Sequence, residues 1–229
     1  MRQLTLDIRP PAPPSFGSFV PGENAQLLVS LHEAAAAGGP GQSIYLYGPE
    51  GSGRSHLLQA TVAAAQEQER QALYLSATSL PADFALQPGM LLALDDLDAL
   101  PAEAGDTLFR AFLAVPRVDA TLVLAGQEPP VRLGLRPDLR TRVGAAQVFE
   151  VKPLSDEEKV ETLHRRAALL GMPLGDEVVQ YLLRHENREL SYLLSVVDAL
   201  DALSLELKRP VTVPLLREIL IWGPKEPVA

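Results

Sequence analysis

One short segment combines the residue types that bind a phosphate group. It reads Gly48-Pro49-Glu50-Gly51-Ser52-Gly53-Arg54-Ser55 and is followed by His56. Its glycines allow successive backbone N–H groups to converge on phosphate oxygens, and the N-terminus of a following helix adds partial positive charge. In this pattern Ser55 would hold Mg²⁺, and Arg54 would meet the terminal phosphates. The segment therefore predicts a loop that binds a purine nucleotide, ADP or ATP.

Position 54 is the one departure from the usual pattern, which has lysine there. Arginine presents a planar fork in place of a compact ammonium group, so the exchange is not conservative. We expect nucleotide binding to survive this exchange and hydrolysis to be slow. An ordinary glycine-rich turn is the alternative interpretation. A predicted strand before the loop and a predicted helix after it favour the nucleotide-binding interpretation.

A second pattern downstream of the loop is an apolar run that ends in two acids, Asp95 and Asp96. An acid at the end of such a strand holds Mg²⁺ in nucleotide-binding folds, which predicts that role for Asp95. Asp96 stands where many ATPases have a glutamate that orients water, and its shorter side chain again predicts slow hydrolysis. By itself, an Asp-Asp pair at a strand end is more often a turn or a helix cap. Its combination with the loop favours the catalytic and metal-binding roles.

Short apolar runs alternate with amphipathic stretches in the first two thirds of the chain. Strands are predicted at residues 43–47, 72–75, 90–94, 121–125 and 147–151, and helices at 25–37, 55–70 and 106–113. This alternation is typical of a parallel sheet with helices on both faces. From Ser155, an N-cap followed by acids, the sequence predicts helices only, with further helices at residues 176–184, 189–205 and 213–221.

These patterns predict three segments. Residues 1–15 form a tail and a proline linker, residues 16–153 an α/β nucleotide-binding domain, and residues 154–229 a small helical domain. The net charge of −9 over 229 residues and the lack of a basic stripe argue against a protein whose main task is to hold DNA. The sequence has no cysteine, no apolar run of membrane-spanning length and no secretion signal, which agrees with a cytoplasmic location.

Together the motifs resemble the AAA+ ATPases, and within their DnaA-related branch the Hda family, over nearly the whole chain. Residues 15–24 resemble the family's leading segment that borders adenine, which implies nucleotide contacts from Phe19 and Val20. Residues 48–58 resemble the Hda version of the loop, arginine included, and this resemblance adds His56 to the nucleotide site. The resemblance implies an AAA+ P-loop α/β domain followed by a helical lid.

Further resemblances concern residues that would meet the γ-phosphate. Residues 123–130 resemble the sensor-1 strand, with Gly126 and Gln127 as candidates for the sensing position. Residues 137–143 resemble the segment that carries the arginine finger, and Arg142 takes the finger position. Residues 187–190 resemble the sensor-2 motif of the lid, and Arg188 takes that role. An arginine supplied in trans can raise phosphoryl-transfer rates by roughly 10³–10⁵.

The first residues resemble a peptide that docks on the bacterial DNA polymerase sliding clamp. The implied contact residues are Gln3, Leu4, Leu6 and Ile8. A glutamine amide would fix the register and alternate apolar side chains would fill a groove. An edge strand of the sheet is the alternative. The stiff run of prolines behind the peptide favours docking, because an edge strand needs no spacer.

The resemblance implies a negative regulator of chromosomal replication initiation in the bacterial cytoplasm. Such a protein binds ADP (or ATP) with Mg²⁺, docks on the clamp and stimulates hydrolysis of DnaA-bound ATP through Arg142, while being at most a weak ATPase itself. We expect no sequence-specific DNA binding, since no DNA-reading domain follows the lid, and we expect a homodimer or short oligomer. The alternatives are a self-standing ATPase such as a helicase loader, and a DnaA-like initiator paralogue that assembles on DNA.

Overall fold

The computed structural model describes residues 13–186 and 190–222. The predicted clamp peptide and Arg188 lie outside the described residues. The chain divides after Pro153 into an α/β unit and a helical unit, which are described separately below.

Five parallel strands form the sheet of the α/β unit. They are β1 (Gln42–Tyr47), β2 (Ala72–Ser76), β3 (Leu91–Asp95), β4 (Thr121–Gly126) and β5 (Gln147–Glu150). Their order is β2-β3-β4-β1-β5, so β2 and β5 are the edges. Every residue of β3 and β4 is buried, as expected for central strands covered on both faces, whereas β5 is mostly exposed.

Four α-helices accompany the sheet: α1 (Ala25–Ala35), α2 (Arg54–Glu67), α3 (Gly105–Ala114) and α4 (Pro137–Gly144). Side chains of β1 alternate between two apolar layers. Ile44 and Leu46 pack in the layer that includes residues of α1 and α2, and Tyr45 packs in the layer that includes residues of α3 and α4. The predicted parallel sheet with helices on both faces is confirmed. Helix α4 was not predicted as a helix from the sequence.

The end of the sheet where β3 and β4 begin is fastened by Arg70, which follows α2. Its Nη1 donates to the carbonyl of Ala34 at 2.6 Å, Nε to that of Gly89 at 2.7 Å, and Nη2 to the hydroxyl of Thr121 at 2.7 Å. Burial lowers the pKa of Arg70. The guanidinium therefore joins the end of α1 to the start of two strands, on the side of the sheet away from the phosphate loop.

The helical unit contains α5 (Asp156–Leu170), α6 (Asp176–His185), α7 (Leu190–Leu207) and α8 (Val213–Trp222). Ser155 and Glu158 form a capping box at the start of α5, where the sequence predicts an N-cap followed by acids. The helices enclose a core of their own, with Leu163, Val179, Leu182, Leu193, Val197 and Leu215 all fully buried. Within the described ranges, no helix has the length and apolar character needed to cross a membrane.

Candidate functional site

The phosphate loop lies between the end of β1 and the start of α2, and its glycines are sterically required. A Cβ added at Gly48 would lie 2.5 Å from the carbonyl oxygen of Val151. Gly53 has φ +95°, and a Cβ there would lie 2.8 Å from the Phe19 ring. Side chains at these two positions would therefore displace the backbone or the ring, so the loop must follow its neighbours closely.

Two buried polar atoms of this loop have no hydrogen-bond partner among the described residues. They are Oγ of Ser52 and Nη1 of Arg54, a residue that is only 9% exposed. A buried guanidinium with an unpaired N–H is costly unless an anion accepts it. The N-terminus of α2, which begins at Arg54, adds partial positive charge at the same place. These atoms fit the phosphate oxygens of a nucleotide.

The predicted metal ligands lie on different elements of the α/β unit. Ser55 is exposed in the first turn of α2, and Asp95 is 2% exposed at the end of β3. The hydroxyl of Tyr74 donates to Oδ2 of Asp95 at 2.8 Å, and the backbone N–H of Asp96 donates to Oδ1 at 2.9 Å. Burial, together with Asp95, raises the pKa of Tyr74 to about 12. The hydroxyl is therefore a protonated donor at neutral pH.

No group of three or more acidic or histidine side chains in the described ranges could hold a metal ion without help. An oxygen donor set made of one hydroxyl and one carboxylate fits Mg²⁺ only where phosphate oxygens and water complete it. Ser55 and Asp95 would supply such a pair. When bound, Mg²⁺ would neutralise phosphate charge, and these residues would hold it.

Asp96 adopts the left-handed conformation with φ 55° at the end of β3, and its side chain is exposed. Partial desolvation raises the pKa of Asp96, nearby Asp95 and Asp98 raise it further, and Arg54 partly offsets these effects. The acid pair and the loop arginine therefore share one electrostatic environment, although they lie on different elements.

The end of β4, where the resemblance implies sensor 1, is held by two side chains that sequence analysis did not identify. Oδ2 of Asp98 accepts the N–H of Gln127 at 2.5 Å, and the hydroxyl of Tyr45 donates to the carbonyl of Glu128 at 2.6 Å. A Cβ at Gly126 would lie 2.5 Å from the Tyr45 hydroxyl and 2.7 Å from Oδ2 of Asp98. Burial, followed by Asp98, raises the pKa of Tyr45.

These contacts determine what each of the two sensor-1 candidates offers at the end of β4. Gly126 has no side chain and no room for one. Gln127 is exposed, and its backbone N–H is occupied by Asp98. A sequence signal for Asp98 existed, since it is an acid that closely follows the acid pair. No sequence signal indicated Tyr45, for which the pattern predicts only a place in a buried strand.

The leading segment is attached to α2 through His56. Nε2 of His56 lies 3.0 Å from the carbonyl oxygen of Ser15 and 3.2 Å from Oγ of Ser18. The His56 ring also packs against Phe19, with ring centroids 5.7 Å apart. Phe19 in turn contacts the loop at Gly53. His56 therefore holds Phe19 and the phosphate loop together, and Val20 follows Phe19 as a half-buried residue.

Asn24 fixes the far end of the leading segment. Its buried side chain donates to the carbonyl of Lys152 at 2.9 Å and accepts the N–H of the same residue at 2.8 Å. This two-way bond joins the start of α1 to the chain that follows β5. The sequence placed Asn24 in the leading segment but gave no indication of this partner.

Arg142 is exposed in the last turn of α4, and its guanidinium carbon lies 5.8 Å from the centre of the Phe109 ring. It makes no ion pair with any residue that the structure describes. Arg136, at the start of α4, differs: it forms ion pairs with Asp106 and Asp138, and it also lies over the Phe109 ring at 5.5 Å. Hydrogen bonding from Arg136 lowers the pKa of Asp106.

The fold is shared with solved AAA+ structures. Domain III of the Thermotoga maritima replication initiation protein DnaA superposes with a TM-score of 0.73 at 19% identity, covering 94% of this chain and 100% of that one. DnaA bound to AMPPCP and single-stranded DNA gives 0.67 at 22%, covering 85% and 67%. A point mutant of Thermotoga maritima RuvB gives 0.67 at 20%, covering 91% and 72%. These likenesses show the AAA+ fold.

The helical unit gives the more particular assignment. Residues 156–220 match the family described as Hda, lid domain. This match, with the DnaA structures above, confirms the predicted resemblance to Hda-type, DnaA-related proteins. The chain therefore combines the AAA+ fold with a segment similar to the Hda lid domain.

Proposed function

We propose that the chain is a nucleotide-bound adaptor that blocks replication initiation by stimulating hydrolysis of DnaA-bound ATP. Arg142 carries the proposal, because it is exposed on α4 without an ion pair among the described residues, while Arg136, which immediately precedes the same helix, has two. An arginine whose charge is not neutralised within its own chain can stabilise charge that develops on a phosphoryl group in a neighbour. DnaA is the proposed neighbour, and the bacterial cytoplasm the proposed location.

The chain's own nucleotide site supports binding more than turnover. Ser52 and Arg54 bury polar atoms that fit phosphate oxygens. In contrast, Gly126 offers no side chain at the end of β4, and the short side chain of Asp96 replaces the longer acid of many ATPases. We propose ADP as the resting ligand, with Mg²⁺ held near Ser55 and Asp95. Arg188 of the lid would contact phosphate.

The proposed docking partner is the DNA polymerase sliding clamp, through Gln3, Leu4, Leu6 and Ile8. Docking would raise the local concentration of the adaptor near DnaA on clamp-loaded DNA, because a tethered encounter replaces a bimolecular one. A homodimer or short oligomer is part of the same proposal, since an exposed finger can also face a second copy of this chain.

The test compares Arg142→Ala with Arg140→Ala, an exposed arginine on the same helix. Each protein is added to DnaA carrying radiolabelled ATP in the presence of clamp-loaded DNA, and the ATP converted to ADP is measured. Arg142→Ala should abolish stimulation while its fold and ADP affinity stay unchanged, and Arg140→Ala should retain stimulation. Full stimulation by Arg142→Ala would reject the mechanism. Brisk DNA-stimulated hydrolysis by the chain alone would favour a self-standing ATPase instead.

Clamp docking has a separate test. Deletion of residues 1–9 should remove binding to the immobilised clamp while ADP binding remains. Gln3→Ala should weaken clamp binding through the loss of a register-fixing amide, whereas Arg2→Ala, beside it, should not. Clamp affinity that persists after the deletion would reject the tail assignment without affecting the role of Arg142.

A further inference from the structure

The guanidinium of Arg142 is placed by an aromatic ring. Phe109 lies on α3, is half-buried, and packs against the apolar layer beneath that helix. Its ring centre lies 5.8 Å from the guanidinium carbon of Arg142 on α4. A cation within about 6 Å of an aromatic centroid is attracted by the ring's negative face. The ring is fixed by the core, so it provides a stable surface for a long, flexible side chain.

An aromatic neighbour affects an arginine guanidinium differently from an acidic neighbour. The carboxylates of Asp106 and Asp138 occupy N–H donors of Arg136 and neutralise its charge. A ring face attracts the guanidinium through its quadrupole, leaves the N–H donors in the guanidinium plane available and keeps the positive charge. Of the two arginines over Phe109, Arg136 is therefore engaged by acids, and Arg142 keeps its donors for another group.

We propose that Phe109 is a positioning residue that holds the Arg142 guanidinium ready for the phosphate oxygens of a nucleoside triphosphate bound to a partner subunit. The inference rests on the proposed function of Arg142 and adds Phe109, which acts through Arg142. Pre-organisation matters because a long side chain otherwise loses rotamer freedom when it docks on the phosphates. Asp106 on α3 and Asp138 on α4 pair with Arg136, whereas Arg142 has the ring contact without an acid among the described residues.

The test uses the full-length chain with Phe109→Leu and with the conservative Phe109→Tyr. Stimulated hydrolysis of DnaA-bound ATP is titrated against each protein, so that the maximal rate and the half-maximal concentration are obtained separately. Phe109→Leu should lower the maximal rate about two- to fivefold, the effect expected for an exposed cation–π contact, with the half-maximal concentration unchanged. Phe109→Tyr should restore the maximal rate. Full stimulation by Phe109→Leu, or equal losses in both variants, overturns the proposal.

A spectroscopic measurement tests the contact between Phe109 and Arg142 independently of the proposed function of Arg142. In the wild-type protein the Nε–H resonance of Arg142, assigned by its loss in Arg142→Ala, should show a ring-current shift that the resonance of exposed Arg140 lacks. The shift should disappear in Phe109→Leu and persist in Phe109→Tyr. An unshifted Arg142 resonance in the wild-type protein overturns the role of Phe109. If the shift is present but Arg142→Ala still stimulates DnaA, the proposed function fails instead.

Discussion

The hydroxyl of Tyr74 on β2 donates a 2.8 Å hydrogen bond to Oδ2 of Asp95 on β3. The second oxygen of Asp95 accepts the backbone N–H of Asp96, so the carboxylate is oriented from two sides. Loss of a group that orients a metal ligand typically weakens metal affinity by about 10- to 100-fold. Tyr74 therefore belongs to the candidate Mg²⁺ site although its own hydroxyl need not contact the ion.

Tyr74→Phe should weaken the Mg²⁺ dependence of nucleotide binding. The variant keeps the ring in place and removes one hydrogen bond to Asp95, so the Mg²⁺ concentration that gives half of the gain in ADP affinity should rise about tenfold. ADP affinity is measured by calorimetry over a Mg²⁺ series. Tyr47→Phe is the matched control, because the Tyr47 hydroxyl makes no hydrogen bond to any described residue. An identical Mg²⁺ response in Tyr74→Phe and the wild type would remove Tyr74 from the site.

Gly126→Ala should destabilise the α/β unit because its Cβ would lie within 3 Å of both Tyr45 and Asp98. Overpacking of this kind costs about 1–3 kcal/mol, and we expect a loss in that range in urea unfolding. Gly134→Ala is the control, since Gly134 has no heavy atom within 4 Å of the added Cβ. Because the Tyr45 hydroxyl is the nearest atom, Tyr45→Phe should recover part of the loss. Equal stability of the two alanine variants would show that the end of β4 relaxes freely.

The sequence predicted the elements and motifs whose information is local. The strands are apolar runs, the loop is a contiguous glycine pattern, and Ser155 begins a helix through a capping box within its own first turn. The contacts that give these motifs their geometry join residues distant in sequence. The hydrogen bonds that join Asp98 to Gln127 and Asn24 to Lys152 depend on the order of strands in the sheet. Residue spacing does not reveal this order.

Arg142 illustrates the same limit. A resemblance suggested which arginine acts as the finger, but the sequence offered no reason for its contact with Phe109, which lies on another helix. Similarly, Arg54 was identified as a departure from the loop pattern, whereas its near-complete burial appears only in the structure. Burial depends on how β1, α2 and the acid pair pack together, and this tertiary arrangement was not available from residue types.

Asp96→Asn should stabilise the protein at neutral pH by an amount that shrinks as the pH falls. The pKa of Asp96 is raised in the folded state, so its ionised form opposes folding at pH values above that pKa. Asparagine removes this charge. Below the ordinary pKa of aspartate, the wild-type side chain is protonated in both states, and the electrostatic part of the difference should disappear.

Urea unfolding of Asp96→Asn and the wild type is compared at pH 7 and pH 3. Asparagine also tolerates the left-handed conformation at position 96 well, which adds a gain that does not depend on pH. The pH-dependent part of the stability difference therefore reports the effect of the Asp96 charge. Asp119→Asn is a matched control, because Asp119 also has positive φ but stands apart from the acid pair at the end of β3. A larger stability gain of Asp96→Asn at pH 3 than at pH 7 would contradict the raised pKa of Asp96.

Arg54→Met should stabilise the nucleotide-free protein and impair nucleotide binding. Arg54 is 9% exposed with Nη1 unpartnered among the described residues, and removing such a group relieves about 1–3 kcal/mol. The same change removes the cation that fits the phosphates. Thermal unfolding with and without ADP checks both effects: at a concentration 100-fold above its Kd, ADP should stabilise the wild type by about 2.7 kcal/mol, and the variant far less.

Arg70→Met gives the contrast that makes the Arg54 prediction specific. Arg70 donates to two backbone carbonyls and to Thr121 within 2.7 Å, so its loss should destabilise the protein and leave the ADP-induced shift intact. Stability changes of opposite sign in the two variants would indicate that Arg54 serves ligand binding and that Arg70 serves the fold. If Arg54→Met is less stable than the wild type in the absence of nucleotide, the Arg54 guanidinium has a structural role, and the argument from its unpartnered N–H fails.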